Sequence, residues 1–433
     1  MAKVITTELQ HSGASGANVT LDSSKNVTCE NNLTVDGTST LSGNVAVTGN
    51  VTVTGTLPAD KLTGNLPAIS GASLTGLPSS PPAGRNILIN GDMRIAQRGT
   101  SSTEQGCKTT DRFYYDKGGT NETPQQEQRA LTSSDTGPWA KGFRWCYKIT
   151  NGNQSALDAT DYVRFKYITE NRDIHQSGWE YTDPNSKVTI SFWVKSSVSQ
   201  RFYFALRTSE GTGQHYAHPF TPAANTWTYV THTIPGNANN VFGDNNGHGL
   251  MLQWQLAIGS SYTDDSFTDD AWGNYVTNQF KDYNDGDNDW YETDNATWEI
   301  TGVQFEAGDT ATDFEFKRYA DELQRCKRYF QVFWSGSGGG VATVANWGTA
   351  ASYGAVKWEK ELRTTPTITV SDAGHFKQRC AGSDRTAGSV TWSNTKSTSS
   401  RIGIEGFSGS TDGQAAWIGT TSSSAKITLD AEI

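Results

Sequence analysis

Hydrophobic positions repeat with a period of six between residues 31 and 57. Gly37, Gly43, Gly49 and Gly55 each follow an aliphatic residue by two positions, in the units LTVDGT, STLSGN, VAVTGN and VTVTGT. Aliphatic residues two positions apart share one face of a strand, and glycine accepts the positive φ of a tight turn. One such ribbon cannot bury its apolar face alone. The pattern predicts an intertwined trimeric β shaft over 31–57, with a solvated Thr/Gly linker as the alternative.

Apolar and polar residues alternate again after residue 85 and predict many short strands. The runs KVTISFWVKS, WTYVTHTI and ATWEITGVQFE alternate in this way, and turn residues separate them. Short strands without intervening helices are typical of a sandwich or jelly roll. We therefore expect a jelly-roll domain over 86–314 and a second β-sandwich over 332–433. Prolines interrupt residues 58–85, which we expect to form an extended neck.

A single helix is predicted over residues 315–331. Tyr319, Leu323, Cys326 and Phe330 follow the 4-3-4 spacing of an apolar seam. The seam is shorter than two heptads, so it packs either on its own domain or against a partner chain. The expected fold class is all-β: an N-terminal intertwined trimeric β shaft, a jelly-roll β-sandwich, one helix and a C-terminal β-sandwich tip.

Charge and hydrophobicity exclude two kinds of interaction, binding to nucleic acids and insertion into a membrane. The chain has 433 residues, a formal net charge of -10 and no run of Lys or Arg, so nucleic acid is excluded as a partner because it demands a basic stripe. No apolar stretch approaches the length of a membrane span, and membrane insertion is not expected. The cysteines are scattered singly and predict isolated thiols; they are Cys29, Cys107, Cys146, Cys326 and Cys380.

Several segments resemble one family of proteins. NILINGDMRIAQRGTS, followed by DRFYY, resembles the opening of a jelly-roll domain found in tail fibres of tailed bacteriophages, those of marine phages in particular. ISFWVKSS and WTYVTHTIPG look like middle strands of that domain and also like those of carbohydrate-binding modules. LRTTPTITVSD and ITLDAEI are similar to the C-terminal domain of such fibres.

The resemblance implies a function for each region. It implies a homotrimeric tail fibre, assembled in the host cytoplasm and located in the virion. Residues 1–30 would attach to a phage tail or baseplate protein, and residues 332–433 would bind a host surface polysaccharide. The alternatives are a purely structural adaptor or spacer fibre and, less favoured, a polysaccharide depolymerase. Such families share no catalytic residues, so no enzymatic activity is expected.

Aromatic residues of the C-terminal region are the candidate glycan-binding groups, because sugar faces stack on exposed rings. Trp392 and Trp417 lie beside segments rich in Ser, Thr and Gly and are expected in exposed loops. Trp347 and Tyr353 are further candidates. Trp358 lies in an alternating strand before a charged turn and is expected in the core.

The acidic segment DYNDGDNDWYETD supplies the candidate metal ligands. Asp285, Asp287 and Asp289 are weak candidates for calcium, which takes several oxygen ligands, although the spacing does not fit an EF-hand. The alternative is a solvated turn, and no other cofactor is expected. His215 and His218, in GQHYAHPF, are spaced poorly for zinc on a strand or loop and are interpreted as ordinary histidines.

Overall fold

The chain consists of two compact units, Met1–Thr75 and Gly76–Ile433. The computed structural model describes residues 8–9, 19–21, 27–29, 84–119, 123–152, 156–264, 266–277, 280 and 289–433. The described strands of the first unit pair antiparallel in the order β1 (Glu8–Leu9), β2 (Val19–Leu21), β3 (Val27–Cys29). The predicted shaft, and the predicted neck up to residue 83, lie outside the described residues.

The second unit begins with a jelly-roll sandwich of two antiparallel sheets, each with six strands among the described residues. One sheet has the spatial order β14 (Gly273–Asn274), β11 (Gln214–Phe220), β10 (Phe202–Thr208), β13 (His248–Ile258), β8 (Tyr162–Glu170), β5 (Phe113–Gly118). The other has the order β12 (Thr228–Pro235), β9 (Lys187–Ser196), β15 (Thr297–Ala307), β7 (Trp145–Thr150), β6 (Gln125–Ala130), β4 (Ser101–Ser102).

A smaller sandwich follows and confirms the all-β class. Its three-stranded sheet has the order β16 (Phe330–Ser335), β25 (Lys426–Asp430), β19 (Thr367–Val370). Its seven-stranded sheet has the order β21 (Ser383–Thr386), β20 (Phe376–Cys380), β24 (Ala415–Thr420), β17 (Gly340–Trp347), β18 (Ala351–Lys357), β23 (Ser399–Glu405), β22 (Ser389–Ser393).

The alternation seen in the sequence builds the jelly-roll core. Ile190, Phe192 and Val194 occupy every second position of β9 and are fully buried. The Phe192 ring meets the Trp254 ring of the facing sheet edge-on, with 5.6 Å between centroids. Burying one such side chain contributes about 1.5–3 kcal/mol, so this period-two pattern fixes which face of each strand turns inward.

One tight turn explains two residue types of the NILING segment, the second asparagine and the glycine. Asn90 adopts a φ of 63°, and its side-chain amide donates to the carbonyls of Ile95 and Asp111 at 2.9 and 3.0 Å. Its amide oxygen accepts from the Ile95 N–H at 2.9 Å. A Cβ on Gly91 would lie 2.1 Å from the Val303 carbonyl oxygen of β15. Asparagine tolerates the left-handed region and glycine permits the close approach, which gives both residues a structural reason.

The described residues contain three α-helices rather than one. Two are short, α1 (Asn171–His175) and α2 (Asp289–Glu292), and belong to connections of the jelly roll. The third, α3 (Tyr319–Cys326), lies inside the predicted helix but covers half of its length. The expectation of a single helix over 315–331 is therefore wrong in number and in bounds.

Tertiary contacts override helix propensity at both ends of α3. The Glu315 carboxylate accepts hydrogen bonds from the backbone N–H groups of Gly84 and Asn86 at 2.9 and 2.8 Å, upstream of the helix. At the other end Phe330 begins β16 and pairs with β25. A backbone that is hydrogen-bonded in a sheet cannot continue a helix. The apolar spacing therefore predicts a helix that is longer than α3.

The helix seam packs on its own chain. Cys326 is fully buried, and the half-buried Leu323 packs with it against Ile89 and Ile95 of the NILING region. Tyr319, the first residue of the predicted seam, is 58% exposed. Of the two alternatives for the seam, contact with the same domain accounts for its central residues.

The jelly roll and the smaller sandwich contact each other inside the second unit. Glu170, at the end of β8, binds Arg328 and Tyr329, which precede β16. The Arg112 guanidinium, fully buried in the jelly roll, pairs with Glu432. Buried charges that are paired across an interface resist separation, because either charge alone would be left without compensation.

Two further findings concern the described residues as a set. No helix among them is long and apolar enough to cross a membrane. The four cysteines of the second unit are buried free thiols, as expected from the scattered spacing, and burial raises the pKa of Cys107 to about 11. These free cysteines are Cys107, Cys146, Cys326 and Cys380.

Candidate functional site

Three of the four predicted glycan-binding residues share one face of the seven-stranded sheet. Trp417 of β24 is opposite Thr343 of β17, and Tyr353 of β18 is opposite Ala345 of β17. Trp347 lies two residues beyond Ala345, hence on the same face. We call Trp347, Tyr353 and Trp417 the aromatic face. Trp347 is 75% exposed, so its ring has no role in the core.

Glycines let two of these rings come close to the backbone of the sheet. A Cβ on Gly419 would come within 2.6 to 3.3 Å of three Trp417 ring atoms, so the indole covers that residue. In the same way a Cβ on Gly403 would lie 2.7 Å from the Tyr353 ring. Both rings therefore lie against the backbone of a neighbouring glycine, and the Arg401 guanidinium lies over the Tyr353 ring. Of the three rings, that of Trp347 is the most exposed and the most open to stacking against a ligand.

Small side chains separate the rings. From strand spacing of about 4.8 Å and a two-residue rise of about 6.8 Å, Trp417 and Tyr353 stand about 12 Å apart, and Trp347 and Tyr353 about 8 Å. The intervening residues on this face are Thr343, Ala345, Ala351, Ala355 and Ala415.

Polar groups surround the aromatic face and can form hydrogen bonds to a ligand. The Arg379 guanidinium lies 5.9 Å from the Trp417 ring, and that of Arg401 lies 4.4 Å from the Tyr353 ring. The Tyr353 hydroxyl donates to the Glu405 carboxylate at 2.9 Å, a bond that raises the pKa of Tyr353. Rings flanked by cationic and hydroxyl donors match the two requirements of a polyhydroxylated ligand, an apolar face and hydrogen-bond partners.

Trp392 does not belong to this surface, and the expectation of an exposed loop there is wrong. It lies in β22, opposite Ile402, on the inner face of the sheet. Its ring packs against Phe333 and Trp358 with centroids 6.2 and 6.1 Å apart. Trp358 is 7% exposed, which confirms it as a core residue. Trp417 also lies in a strand rather than a loop, but on the outer face.

A pocket on the jelly roll was missed by sequence reasoning. It has a volume of about 560 Å³ on the outer face of the sheet that contains β9. Its rings include Trp193 and Tyr229, 5.1 Å apart, with Tyr229 45% exposed. The lining residues are Ala140, Lys141, Phe143, Ser191, Trp193, Tyr229, Gly302, Asp313, Phe314 and Phe316. The signal was present, since SFWVKS and WTYV place aromatics at outward positions of neighbouring strands.

A bulge shapes this pocket. Pairing of β15 with β9 shifts between Thr301 and Gln304, and Gly302 takes a φ of 65° there. A Cβ on Gly302 would lie 2.6 Å from Cζ of Phe143. The bulge thus allows the Phe143 ring to pack against the Gly302 backbone, where it lines the pocket.

Two histidines and an aspartate meet at one edge of the jelly roll. His218 Nδ1 lies 2.7 Å and His232 Nε2 lies 3.4 Å from Oδ1 of Asp270, and the two imidazoles stack with centroids 3.6 Å apart. Burial, and to a lesser extent His218, lowers the pKa of His232 to about 4. His218 and His215 are close in sequence, but His215 turns to the opposite face of β11 and packs on Phe280.

The predicted calcium ligands are not assembled by the described residues. Asp285 and Asp287 lie outside them, and Asp289 is an exposed residue at the start of α2. The Asp289 backbone carbonyl accepts hydrogen bonds from Thr293. The calcium site therefore stays a prediction.

No family model matches this chain, and no curated protein is significantly similar to it. Among solved structures, a CBM4 carbohydrate-binding module has 11% identity and a TM-score of 0.25, over 50% of this chain and 97% of that one. A family 11 module from Clostridium thermocellum, in complex with a β-1,3-1,4-mixed-linked tetrasaccharide, has 10% identity and a TM-score of 0.23 over 46% and 91%. The tandem CBM22 modules of Paenibacillus barcinonensis Xyn10C have 11% identity and a TM-score of 0.26 over 82% and 100%. At such values the similarity does not decide what this chain binds.

Proposed function

We propose that this protein binds a cell-surface polysaccharide through the aromatic face of its C-terminal sandwich. The observation that carries the proposal is that Trp347, Tyr353 and Trp417 share one outward sheet face, with Trp347 75% exposed. A single exposed ring would need no explanation, but three aromatic side chains on one outward face with polar neighbours form the kind of patch that marks an interaction site. Sugars offer apolar C–H faces that fit such rings.

The energetics favour several weak contacts over one strong site. A single ring stacked on a sugar contributes about 1 kcal/mol, or about a fivefold change in affinity. The chain carries a formal net charge of -10, so long-range attraction to an anionic bacterial surface does not drive the encounter. Affinity then comes from linking several sites, because linked sites bind at a high effective concentration.

We further propose that the chain is a homotrimeric tail fibre of a tailed bacteriophage. The support is the resemblance of NILINGDMRIAQRGTS and DRFYY to tail-fibre domains, together with the six-residue repeat over 31–57. In this proposal residues 1–30 attach to the tail or baseplate, and the polysaccharide is bound without being cleaved. The competing proposal is a spacer fibre that binds no receptor.

The test compares tryptophans on opposite faces of the same sheet. Trp347→Ala and Trp417→Ala, in the full-length chain, are expected to weaken glycan-array binding and bacterial adsorption about fivefold per site. Trp347→Ala should leave the melting temperature unchanged because its ring is largely solvated. The matched control is Trp392→Ala on the inner face, which should lower the melting temperature.

Three outcomes separate the proposals. Wild-type binding to the array that persists in the Trp347→Ala, Trp417→Ala double variant would place the site elsewhere, with the jelly-roll pocket next to be tested. A wild-type chain that binds no glycan but is present in purified virions would favour the spacer fibre. Release of reducing ends from host polysaccharide would contradict binding without cleavage.

A further inference from the structure

The edge where the two jelly-roll sheets approach each other carries donor atoms from three separate elements. His218 belongs to β11 of one sheet and His232 to β12 of the other. Asp270 comes from the connection between β13 and β14. His218 Nδ1, His232 Nε2 and an Asp270 carboxylate oxygen all lie within 4.8 Å of one another.

We propose that His218, His232 and Asp270 bind one divalent zinc ion, which joins the two sheets at this edge. Two imidazole nitrogens and one carboxylate oxygen are a donor set that zinc accepts, and a water molecule completes four-coordination. Imidazole donors favour zinc over calcium or magnesium, which prefer oxygen ligands.

Two donor separations are close to those of a zinc site, whereas the stacked imidazoles, nearly parallel with centroids 3.6 Å apart, must rotate so that both ring planes meet at the metal. Zinc bonds of about 2.1 Å at tetrahedral angles place neighbouring ligand atoms about 3.4 Å apart. His232 Nε2 and Asp270 Oδ1 are already 3.4 Å apart. His218 Nδ1 and Asp270 Oδ1 are 2.7 Å apart as a hydrogen bond, and they open by about 0.7 Å when the metal replaces the shared proton.

The aspartate is held in place by the backbone around it. The Asp270 N–H donates to the Ala217 carbonyl of β11 at 2.8 Å, and Asp270 itself adopts a φ of 61°. Two residues later the Trp272 indole N–H donates to the Pro235 carbonyl of β12 at 2.7 Å. The connection is thus bound to both strands that supply the histidines, which presents the three donors together before a metal arrives.

The site has an entrance and a neighbouring hydrogen-bonding group. The Asp270 side chain is 48% exposed, while those of His218 and His232 are 22% and 17% exposed. The Tyr216 hydroxyl lies 2.7 Å from His232 Nε2. Once that nitrogen binds zinc, the hydroxyl is positioned to donate to the metal-bound water, in the way that outer groups orient metal ligands.

The experiment uses the full chain without a histidine tag, stripped by a chelator. Titration calorimetry with zinc sulfate should give one zinc per chain, and cobalt(II) should show the visible absorption of four-coordinate cobalt. Asp270→Asn and His232→Gln should each weaken zinc binding at least about 100-fold. Asn tolerates the positive φ of Asp270, so that variant keeps the fold even if His232→Gln does not.

The controls make the result decisive. His248→Gln alters an exposed histidine outside the cluster and should bind zinc like the wild type. Zinc at about 100 times its dissociation constant should raise the wild-type melting temperature by about 5 °C, and that of Asp270→Asn should not change. The proposal is overturned if the wild-type chain takes up no stoichiometric zinc, or if folded Asp270→Asn binds zinc as tightly as the wild type.

Discussion

Replacing Arg328 by Met should destabilise the contact between the two sandwiches. Arg328 Nε and Nη2 donate to the two Glu170 carboxylate oxygens at 2.6 and 2.8 Å, and the Tyr329 hydroxyl donates to the first of them at 2.7 Å. The Glu170 side chain is 2% exposed. Removing Arg328 therefore leaves a buried carboxylate without its ion-pair partner, stabilised by the Tyr329 hydroxyl, the backbone N–H of Asp173 and the more distant charge of Arg112.

The expected decrease in the free energy of unfolding depends on how deeply each member of the ion pair is buried. Removing one partner of a buried ion pair costs about 3–5 kcal/mol. The Arg328 side chain is 27% exposed, so water reaches the vacated position and reduces the cost. Tyr329 and Arg112 still stabilise the charge of Glu170. We expect the free energy of unfolding to fall by about 2–3 kcal/mol for Arg328→Met, and by less for Glu170→Gln, which leaves Arg328 able to reach water.

Denaturant unfolding followed by intrinsic fluorescence measures this loss. The matched control is Arg172→Met, whose partner Asp244 is 57% exposed and whose own side chain is 46% exposed. Exposed pairs contribute about 0–1 kcal/mol, so the control should change the unfolding free energy little. If Arg328→Met loses no more than Arg172→Met, the Glu170 cluster does not hold the sandwiches together.

Acid should remove the advantage of the wild-type chain. Burial favours the neutral acid, but hydrogen bonds from Arg328 and Tyr329 outweigh it and lower the pKa of Glu170 below its ordinary value of 4.5. A carboxyl whose pKa is lower in the folded state adds stability above its unfolded pKa, and that stability is lost as pH falls through the folded pKa. The difference between wild type and Arg328→Met should therefore persist at neutral pH and shrink below about pH 4.

Three further outcomes are expected. Gly302→Ala should lower the unfolding free energy by about 1–3 kcal/mol in calorimetry because its Cβ meets Phe143, and by more than Gly308→Ala, which has a positive φ but open space. Native mass spectrometry should give three times the chain mass of 47.0 kDa, and Val47→Asp should reduce the trimer fraction by burying like charges. Glycan binding should vary little between about 50 and 500 mM salt, since stacking rather than charge carries it; a steep decline would contradict the aromatic face as its source.

The alternation of apolar and polar residues predicted the sandwiches well, because the pattern within each strand indicates which of its faces is buried. In β9 the inward residues are aliphatic or aromatic, and in the sequence they already stood at every second position. The helix was predicted less well. Its apolar spacing extended to Phe330, but pairing of Phe330 with Asp430 depends on a strand 100 residues away. No local pattern carries that information.

The histidine cluster shows a second limit. His218 and His232 come from facing sheets, and Asp270 reaches them from a later connection. Sequence spacing tests only ligands on one element, so it paired His218 with His215, which points to the opposite face of the same strand. A site built across two sheets becomes visible when the edges of those sheets are known to meet.

Trp392 and Trp417 show why composition could not separate binding residues from core residues. Both lie beside Ser, Thr and Gly, and both lie in strands of the same sheet. Their difference is one of parity: Trp417 is opposite Thr343, an exposed residue, whereas Trp392 is opposite Ile402, a buried one. Since a shift of one residue in register moves a side chain to the other face, the register of each strand against its neighbour decides which tryptophan can meet a ligand.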